Sequence, residues 1–183
     1  MKSLKCFVFI VICVLCVFSM GCKSSASTRV NYDNADFTIP FNEQCRVFIH
    51  EDLSVETLKT YGSDEFKPVG FTSIRYNKVN LIPPGEHTLI LSFFNYDQYS
   101  TYRAKDISFT YNFLPGRFYY IYPVTSFNRI AILAVDLTDM ESEEQINKSI
   151  ISGISFISEK EDAKKIKEAR DMSVLLIEEK MRK

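Results

Sequence analysis

The sequence predicts a mainly β chain, a two-layer β-sandwich followed by a C-terminal α-helical tail. Three observations carry this expectation. Between about Asp36 and Asp136, short runs alternate apolar and polar residues, the period of a strand with one buried face. Proline, glycine and polar clusters separate those runs at intervals of about 8–12 residues, as sandwich turns do. After Leu137 the apolar period lengthens to that of a helix and charged residues become denser. The boundaries expected from these changes are residues 1–21 for an export signal, 22–35 for a flexible tether, 36–137 for the sandwich and 138–183 for the helical extension.

The first sandwich strand is expected over 44–50, where Cys45, Val47 and Ile49 share one face and Arg46, Phe48 and His50 the other. A weaker strand follows over 55–61 and another over 71–76. Residues 78–82 lead into Pro83-Pro84-Gly85-Glu86, where proline followed by glycine suits a type II turn. A strong strand spans 87–94. Residues 106–113 alternate Ile107, Phe109, Tyr111 and Phe113 against Ser108, Thr110 and Asn112. Pro115-Gly116 supplies the next turn, and strands over 117–124 and 129–137 complete a set of about seven. Pro123 is expected at a strand end or edge, because it has no N–H to give to a ladder.

The run Val79-Asn80-Leu81-Ile82-Pro83-Pro84-Gly85-Glu86-His87-Thr88-Leu89-Ile90-Leu91 resembles the proline-glycine-glutamate-histidine hairpin of PEGA-type domains. It resembles equally the hairpin of a broader group of uncharacterised bacterial lipoproteins. In that group an early strand like 46–50 precedes the hairpin, and a glycine followed by an aromatic strand comes after it, here Gly116-Arg117-Phe118-Tyr119-Tyr120-Ile121. Asn95-Tyr96 stands where PEGA domains usually carry Gly-Tyr. The resemblance covers roughly 44–135. It implies a small immunoglobulin-like or transthyretin-like β-sandwich, implies no enzymatic activity and transfers no functional residue.

Past the sandwich, Thr138 or Asp139 can cap a short helix running to about Ser152 and ending at Gly153. Residues 154–157 are ambiguous between strand and loop. Ser158 followed by Glu161 forms a capping box, and 159–181 reads as a long helix supported by the i,i+4 pairs Glu161–Lys165, Glu178–Arg182 and Glu179–Lys183. Its apolar stripe, Ile166, Ala169, Ser173, Leu176 and Ile177, is narrow. Two readings stay open: a helix packed on one sheet face, or an arm for a partner or a second copy. Its charge density excludes a membrane span.

The beginning of the chain is organised differently. Lys2 and Lys5 precede an uninterrupted apolar run from Cys6 to Phe18, which ends at Ser19-Met20-Gly21-Cys22. A positive start and a short apolar segment describe a secretory signal, and the run falls short of the roughly 20 residues that span a bilayer. Gly21-Cys22 resembles the end of the lipobox of bacterial lipoproteins, in a relaxed form with Ser19 and Met20 before it. The resemblance implies cleavage after Gly21 and acylation of Cys22, which would then be the lipidated N-terminus. A retained anchor with Cys22 as an ordinary thiol, and an ordinary cleaved signal, are the other readings. Lys23 to Thr28 are small and polar, as a tether would be. Two acyl chains hold a protein on a membrane stably where one is marginal. Lys23 gives a slight lean toward the outer membrane.

Removing residues 1–21 from the 183 leaves 162, enough for one domain with an appendage. The signal takes two of the 22 bases and none of the 23 acids, so the mature net charge is −3. No basic stripe appears, so a nucleic-acid partner is not expected. Cys6, Cys13 and Cys16 leave with the signal, and Cys45 then has no partner for a disulfide; it is expected as a small buried hydrophobe.

Nucleophile elbows, HExxH, glycine-rich phosphate loops and Cys-x-x-Cys are all missing from the sequence, so no catalytic residue, cofactor or metal is expected. His50-Glu51-Asp52 is the densest group of potential ligands, but neighbours at a strand end diverge. His87 is expected as a turn-stabilising or half-exposed residue. Glu143-Glu144 and Glu178-Glu179 are expected on solvated helix faces. Tyr96, Tyr99 and Tyr102 lie in a polar stretch, 95–103, that reads as a long hairpin loop. Either these aromatics simply cover a thin core, or they present a binding surface for an envelope protein, peptide or glycan, a role that suits tyrosine.

The expected function is therefore a lipoprotein of the bacterial cell envelope, facing the periplasm or the cell surface, that binds or scaffolds without catalysis. An envelope hydrolase or glycan-processing enzyme with an unrecognised site, and a purely structural surface protein, are the alternatives.

Overall fold

The computed structural model describes residues 29–71, 78–96, 101–126, 129–151 and 159–181. Among these, alternating side chains sort nine strands into two sheets. The strands are β1 (Arg29–Asn31), β2 (Cys45–Ile49), β3 (Leu53–Thr60), β4 (Lys67–Pro68), β5 (Lys78–Ile82), β6 (Gly85–Tyr96), β7 (Thr101–Phe113), β8 (Phe118–Ser126) and β9 (Arg129–Asp136). Two helices follow, α1 (Glu143–Ile151) and α2 (Glu159–Met181). One sheet runs β1-β5-β2-β8-β9 and the other β4-β3-β6-β7. The fold is thus mainly β, a sandwich with a helical tail.

Three layers result, and they explain the composition of the strands. Cys45, Val47 and Ile49 of β2 and Tyr119 and Ile121 of β8 point between the sheets, where they meet Leu89, Leu91 and Phe93 of β6. Phe48 of β2 and Phe118, Tyr120 and Tyr122 of β8 point the other way, onto Ile146 of α1 and Ala163, Ile166 and Ala169 of α2. β2 and β8 are covered on both faces, so they read as nearly continuous apolar runs. The four-stranded sheet is covered on one face only. Its strands β3 and β6 alternate buried and open positions accordingly.

Helix α2 therefore lies against the five-stranded sheet. Buried Ala163, Ile166, Ala169 and Ser173 form its contact stripe at helical spacing. Three of these four are small, which lets the helix axis approach the aromatic sheet face. The ion pair Lys164–Glu168 (3.9 Å) lies on the exposed side, and the half-buried pair Lys167–Asp171 (2.8 Å) flanks the contact stripe. The three pairs expected from sequence involve side chains outside the described ones, as do Gly153, Ser158 and most of the expected strand 71–76.

Several boundaries differ from expectation. The sheet begins at Arg29, inside the segment 22–35 assigned to the tether. β1 pairs in parallel with β5, and an asparagine bridge holds it: the Asn31 amide donates to Asn80 Oδ1 (3.1 Å), and the buried Asn80 amide donates to the Val47 carbonyl (3.1 Å). Three residues with one apolar member show no period. β4 is a two-residue edge strand, where proline is tolerated. β7 begins at Thr101, not Asp106, so residues 95–96 and 101–103 of the expected long loop are strand, and 97–100 lie outside the described residues. A β-bulge there sets Lys105 and Asp106 against Ser92, with Asp106 at φ +54°. The bulge breaks the alternation on which the sequence reading depends. Helix α1 starts later than expected, capped by Ser142. The Gln145 amide N–H donates to Ser142 Oγ (3.2 Å) and the Ser142 N–H donates back to Gln145 Oε1 (3.2 Å), a capping box. Thr138 is otherwise engaged: its hydroxyl accepts from the Phe118 N–H (2.8 Å) and donates to Asp136 (2.5 Å).

Strand register fixes which features share an end. Lys78 and Arg29 are paired, and β5 runs antiparallel to β2, so the chain arrives at β1 at the Ile49 end of the sheet. β3 leaves the same end, and Leu53 pairs with Phe93, so the β6–β7 hairpin tip extends beyond it. The opposite end gathers Cys45, Phe118, Asp136 and the turns at Pro84 and Pro115. There Leu114-Pro115-Gly116-Arg117 forms a type II-like turn, with Gly116 at φ +68° and the Arg117 N–H donating to the Leu114 carbonyl (3.4 Å).

Candidate functional site

At that second end the sheet and helix α2 do not close completely. They leave a pocket of about 410 Å³. Arg46 and Phe118 on the outer sheet face and Thr138 after β9 form its floor, and Arg170, Asp171, Val174 and Leu175 of α2 form its wall.

The two arginines are held differently. Arg170 is fully engaged. Its guanidinium donates to the Met140 carbonyl, to the Leu137 carbonyl (3.2 Å) and twice to Asp171 Oδ1 (3.0 and 2.8 Å). Arg46 is half-buried, and its guanidinium donates one hydrogen bond, from Nη2 to the Gly116 carbonyl. Among the described residues no carboxylate forms an ion pair with it. Burial pushes the Arg46 pKa below its ordinary value and the neighbouring Arg170 guanidinium adds to that push, while Cys45 and the Asp136 carboxylate oppose it in part. A charged fork with free donors in a partly desolvated pocket is unfavourable for folding alone.

Burial raises the Asp171 pKa, but hydrogen bonds from Lys167 and Arg170 and their charges outweigh it, leaving the carboxyl below its ordinary value and ionised. Sequence reasoning missed this pocket. The available signal was Arg46 itself, a cation sharing a strand face with Phe48 and His50.

The residues singled out from sequence fall elsewhere. Cys22 and Tyr99 lie outside the described residues. Tyr96 and Tyr102 are both exposed, at 72% and 48%, at the β6–β7 tip. Register places them on opposite faces of the hairpin: Tyr96 pairs with Thr101, beside Phe94 and Arg103, whereas Tyr102 pairs with Asn95. His87 is fully buried rather than half-exposed. Its Nε2–H donates to the Pro83 carbonyl (2.9 Å), which leaves Nδ1 to accept from the Thr60 hydroxyl (3.3 Å). Cys45 is buried, its thiol donates to the Leu114 carbonyl (3.1 Å), and burial pushes its pKa up to about 12. The Asp52 N–H donates to His50 Nδ1 (3.1 Å), and among the described residues no group of three His, Cys, Asp or Glu side chains is placed to hold a metal ion. Glu143 and Glu144 are exposed at the start of α1, where their charge complements the helix dipole.

Comparison of the chain with protein-family models, curated proteins and solved structures found no match.

Proposed function

We propose that the mature chain is a lipid-anchored, non-enzymatic binding module of the bacterial envelope, and that the Arg46 pocket is its ligand site. The observation that carries the binding role is Arg46: a half-buried guanidinium with one carbonyl partner and no ion-pair partner among the described residues. Such a fork matches a carboxylate in geometry and charge. Phe118, Val174 and Leu175 supply an apolar wall beside it, and ionised Asp171 disfavours a second negative charge. The matching ligand is a monocarboxylate carrying an apolar substituent. The non-enzymatic reading is supported by the same residues. Asp171 is ion-paired and the Thr138 hydroxyl is engaged on both sides, so the pocket offers neither a free base nor an activated nucleophile. The anchor rests on the sequence Lys2 to Cys22.

The test follows the precursor from the cell to the titration. Wild type is expected in the membrane fraction with the mass of a chain cleaved after Gly21 and acylated, and Cys22→Ser is expected uncleaved and unlipidated. In the purified mature protein, N-acetyl-leucine is expected to shift the amide resonances of Thr138, Asp171 and Val174. N-acetyl-leucinamide, identical in shape but uncharged, is expected to leave them in place, as is the acid added to Arg46→Gln. Equal responses to acid and amide would remove Arg46 as the recognition group.

A further inference from the structure

The chain's own geometry brings a second surface to the membrane. Only six residues, 23–28, separate Cys22 from β1, so the tether reaches at most about 25 Å. It arrives at the Ile49 end of the five-stranded sheet, the end beyond which the β6–β7 hairpin projects. Phe93 pairs with Leu53 at that end and Tyr96 lies three residues further, an extension of roughly 10 Å. A protein tethered this closely at this end holds the hairpin tip within reach of the same bilayer.

The tip has the chemistry of a bilayer interface. Phe94 and Tyr102 are 48% exposed and Tyr96 is 72% exposed. Arg103 Cζ lies 4.9 Å from the centre of the Phe94 ring, which places a cation beside an open apolar ring. Tyrosine is enriched at headgroup level because it joins an apolar body to a polar end, and a basic side chain favours anionic headgroups. Tyr96 and Tyr102 occupy opposite faces of the hairpin, a poor arrangement for one flat protein partner. A medium that surrounds the tip, as a lipid interface does, meets both faces. The bulges at Glu56 in β3 and at Lys105–Asp106 in β7 lie at neighbouring levels of β6, where bulges bend a ribbon away from its sheet.

We infer that the β6–β7 hairpin tip, through Phe94, Tyr96, Tyr102 and Arg103, inserts at the headgroup level of the bilayer that holds the anchor. The Arg46 pocket, at the other end, then faces away from that membrane. The inference rests on Cys22 being the anchored residue, and chemical coupling separates the two questions. The chain has no tryptophan, so one introduced indole reports alone. Residues 22–183 carrying Tyr96→Trp are coupled through Cys22 to phosphatidylethanolamine–phosphatidylglycerol vesicles containing a maleimide-headgroup lipid. Buried Cys45 does not compete for the maleimide. The matched control is Leu114→Trp, a 50% exposed position at the pocket end. On coupling, Tyr96→Trp emission is expected to shift to the blue and to be quenched by brominated phospholipid, and Leu114→Trp emission to stay as in solution. An unchanged Tyr96→Trp spectrum on vesicles, or equal shifts at both positions, would overturn the inference. Because the coupling is chemical, such a result leaves the cellular acylation of Cys22 to be judged separately by its mass.

Discussion

Gly116→Ala joins the turn chemistry of the sandwich to the pocket. Gly116 sits at φ +68°, and a β-carbon there would lie 2.6 Å from the Asn42 carbonyl oxygen. Left-handed backbone costs an L-residue about 1–2 kcal/mol. The clash adds to this, because neither side moves freely: the Gly116 N–H is bonded to the Glu43 carbonyl (3.1 Å), next to the Asn42 carbonyl that must give way. Stretching that bond costs about 1 kcal/mol more. Reduced freedom of the unfolded chain returns about 0.4–1 kcal/mol. The expected net loss is about 2 kcal/mol, or roughly 4–8 °C in Tm for a chain of this size. Gly62→Ala is the internal control. Gly62 also has positive φ, at +80°, but a β-carbon there meets nothing within 4 Å. It is expected to lose only the conformational part, about 1 kcal/mol. Urea denaturation of both variants measures the difference. If Gly116→Ala were no less stable than Gly62→Ala, the contact with Asn42 would carry no cost and this account of the turn would fail. The Gly116 carbonyl also holds Arg46, so Gly116→Ala is expected to weaken N-acetyl-leucine binding while Gly62→Ala does not.

Two further outcomes follow from buried titratable groups. Burial pushes the His87 pKa below its ordinary value, and the hydrogen bond to the Pro83 carbonyl, which favours the charged ring, offsets this only in part. The unfolded chain therefore binds the proton more readily. Stability from this group is fully present above pH 6.5 and is lost as the pH falls below it, with a limiting slope of about 1.4 kcal/mol per pH unit. Denaturation of wild type and His87→Gln from about pH 7.5 down to about pH 5 is expected to show a steeper loss of stability in the wild type than in the variant; parallel profiles would contradict it. Raising the Cys45 pKa from 9.0 to about 12 lowers the thiolate fraction about a thousandfold. Thiol titration of residues 22–183 carrying Cys22→Ser, in which Cys45 is the one remaining cysteine, is expected to detect Cys45 only when denaturant unfolds the chain, and rapid native labelling would show that the thiol is open to solvent.

The legible parts of the fold are those where local pattern and final environment agree. Glu159–Met181 is a helix whose buried stripe includes Ile166, Ala169 and Ser173, as its 3.6-residue period requires. The alternation of Ile107, Phe109, Tyr111 and Phe113 marks the regular half of β7. Proline and glycine at 115–116 mark a turn by their own backbone preferences. What failed had no local signal: β1 exists through an asparagine bridge to Asn80, 49 positions away, and the first four residues of β7 lie beyond a bulge that shifts the alternation.

The sequence alone determines the class of the chain, through periods of two and of 3.6 and through the turn residues between them. The expectation of an export signal and of cleavage between Gly21 and Cys22 is likewise read from linear order. The tertiary structure decides which faces are covered. Only docking of α2 on the five-stranded sheet shows why Phe48, Phe118, Tyr120 and Tyr122 are apolar on the side away from the sandwich core. Arg46 acquires meaning in the same way. In the sequence it is one polar residue in a strand, and the fold leaves it with a single carbonyl partner beneath a helix whose Arg170 lies well over 100 positions later in the chain. Pairing register likewise decides that the start of β1 and the aromatic hairpin share one end while the pocket takes the other. Long-range juxtaposition depends on how sheets and helices pack, and no local period encodes it.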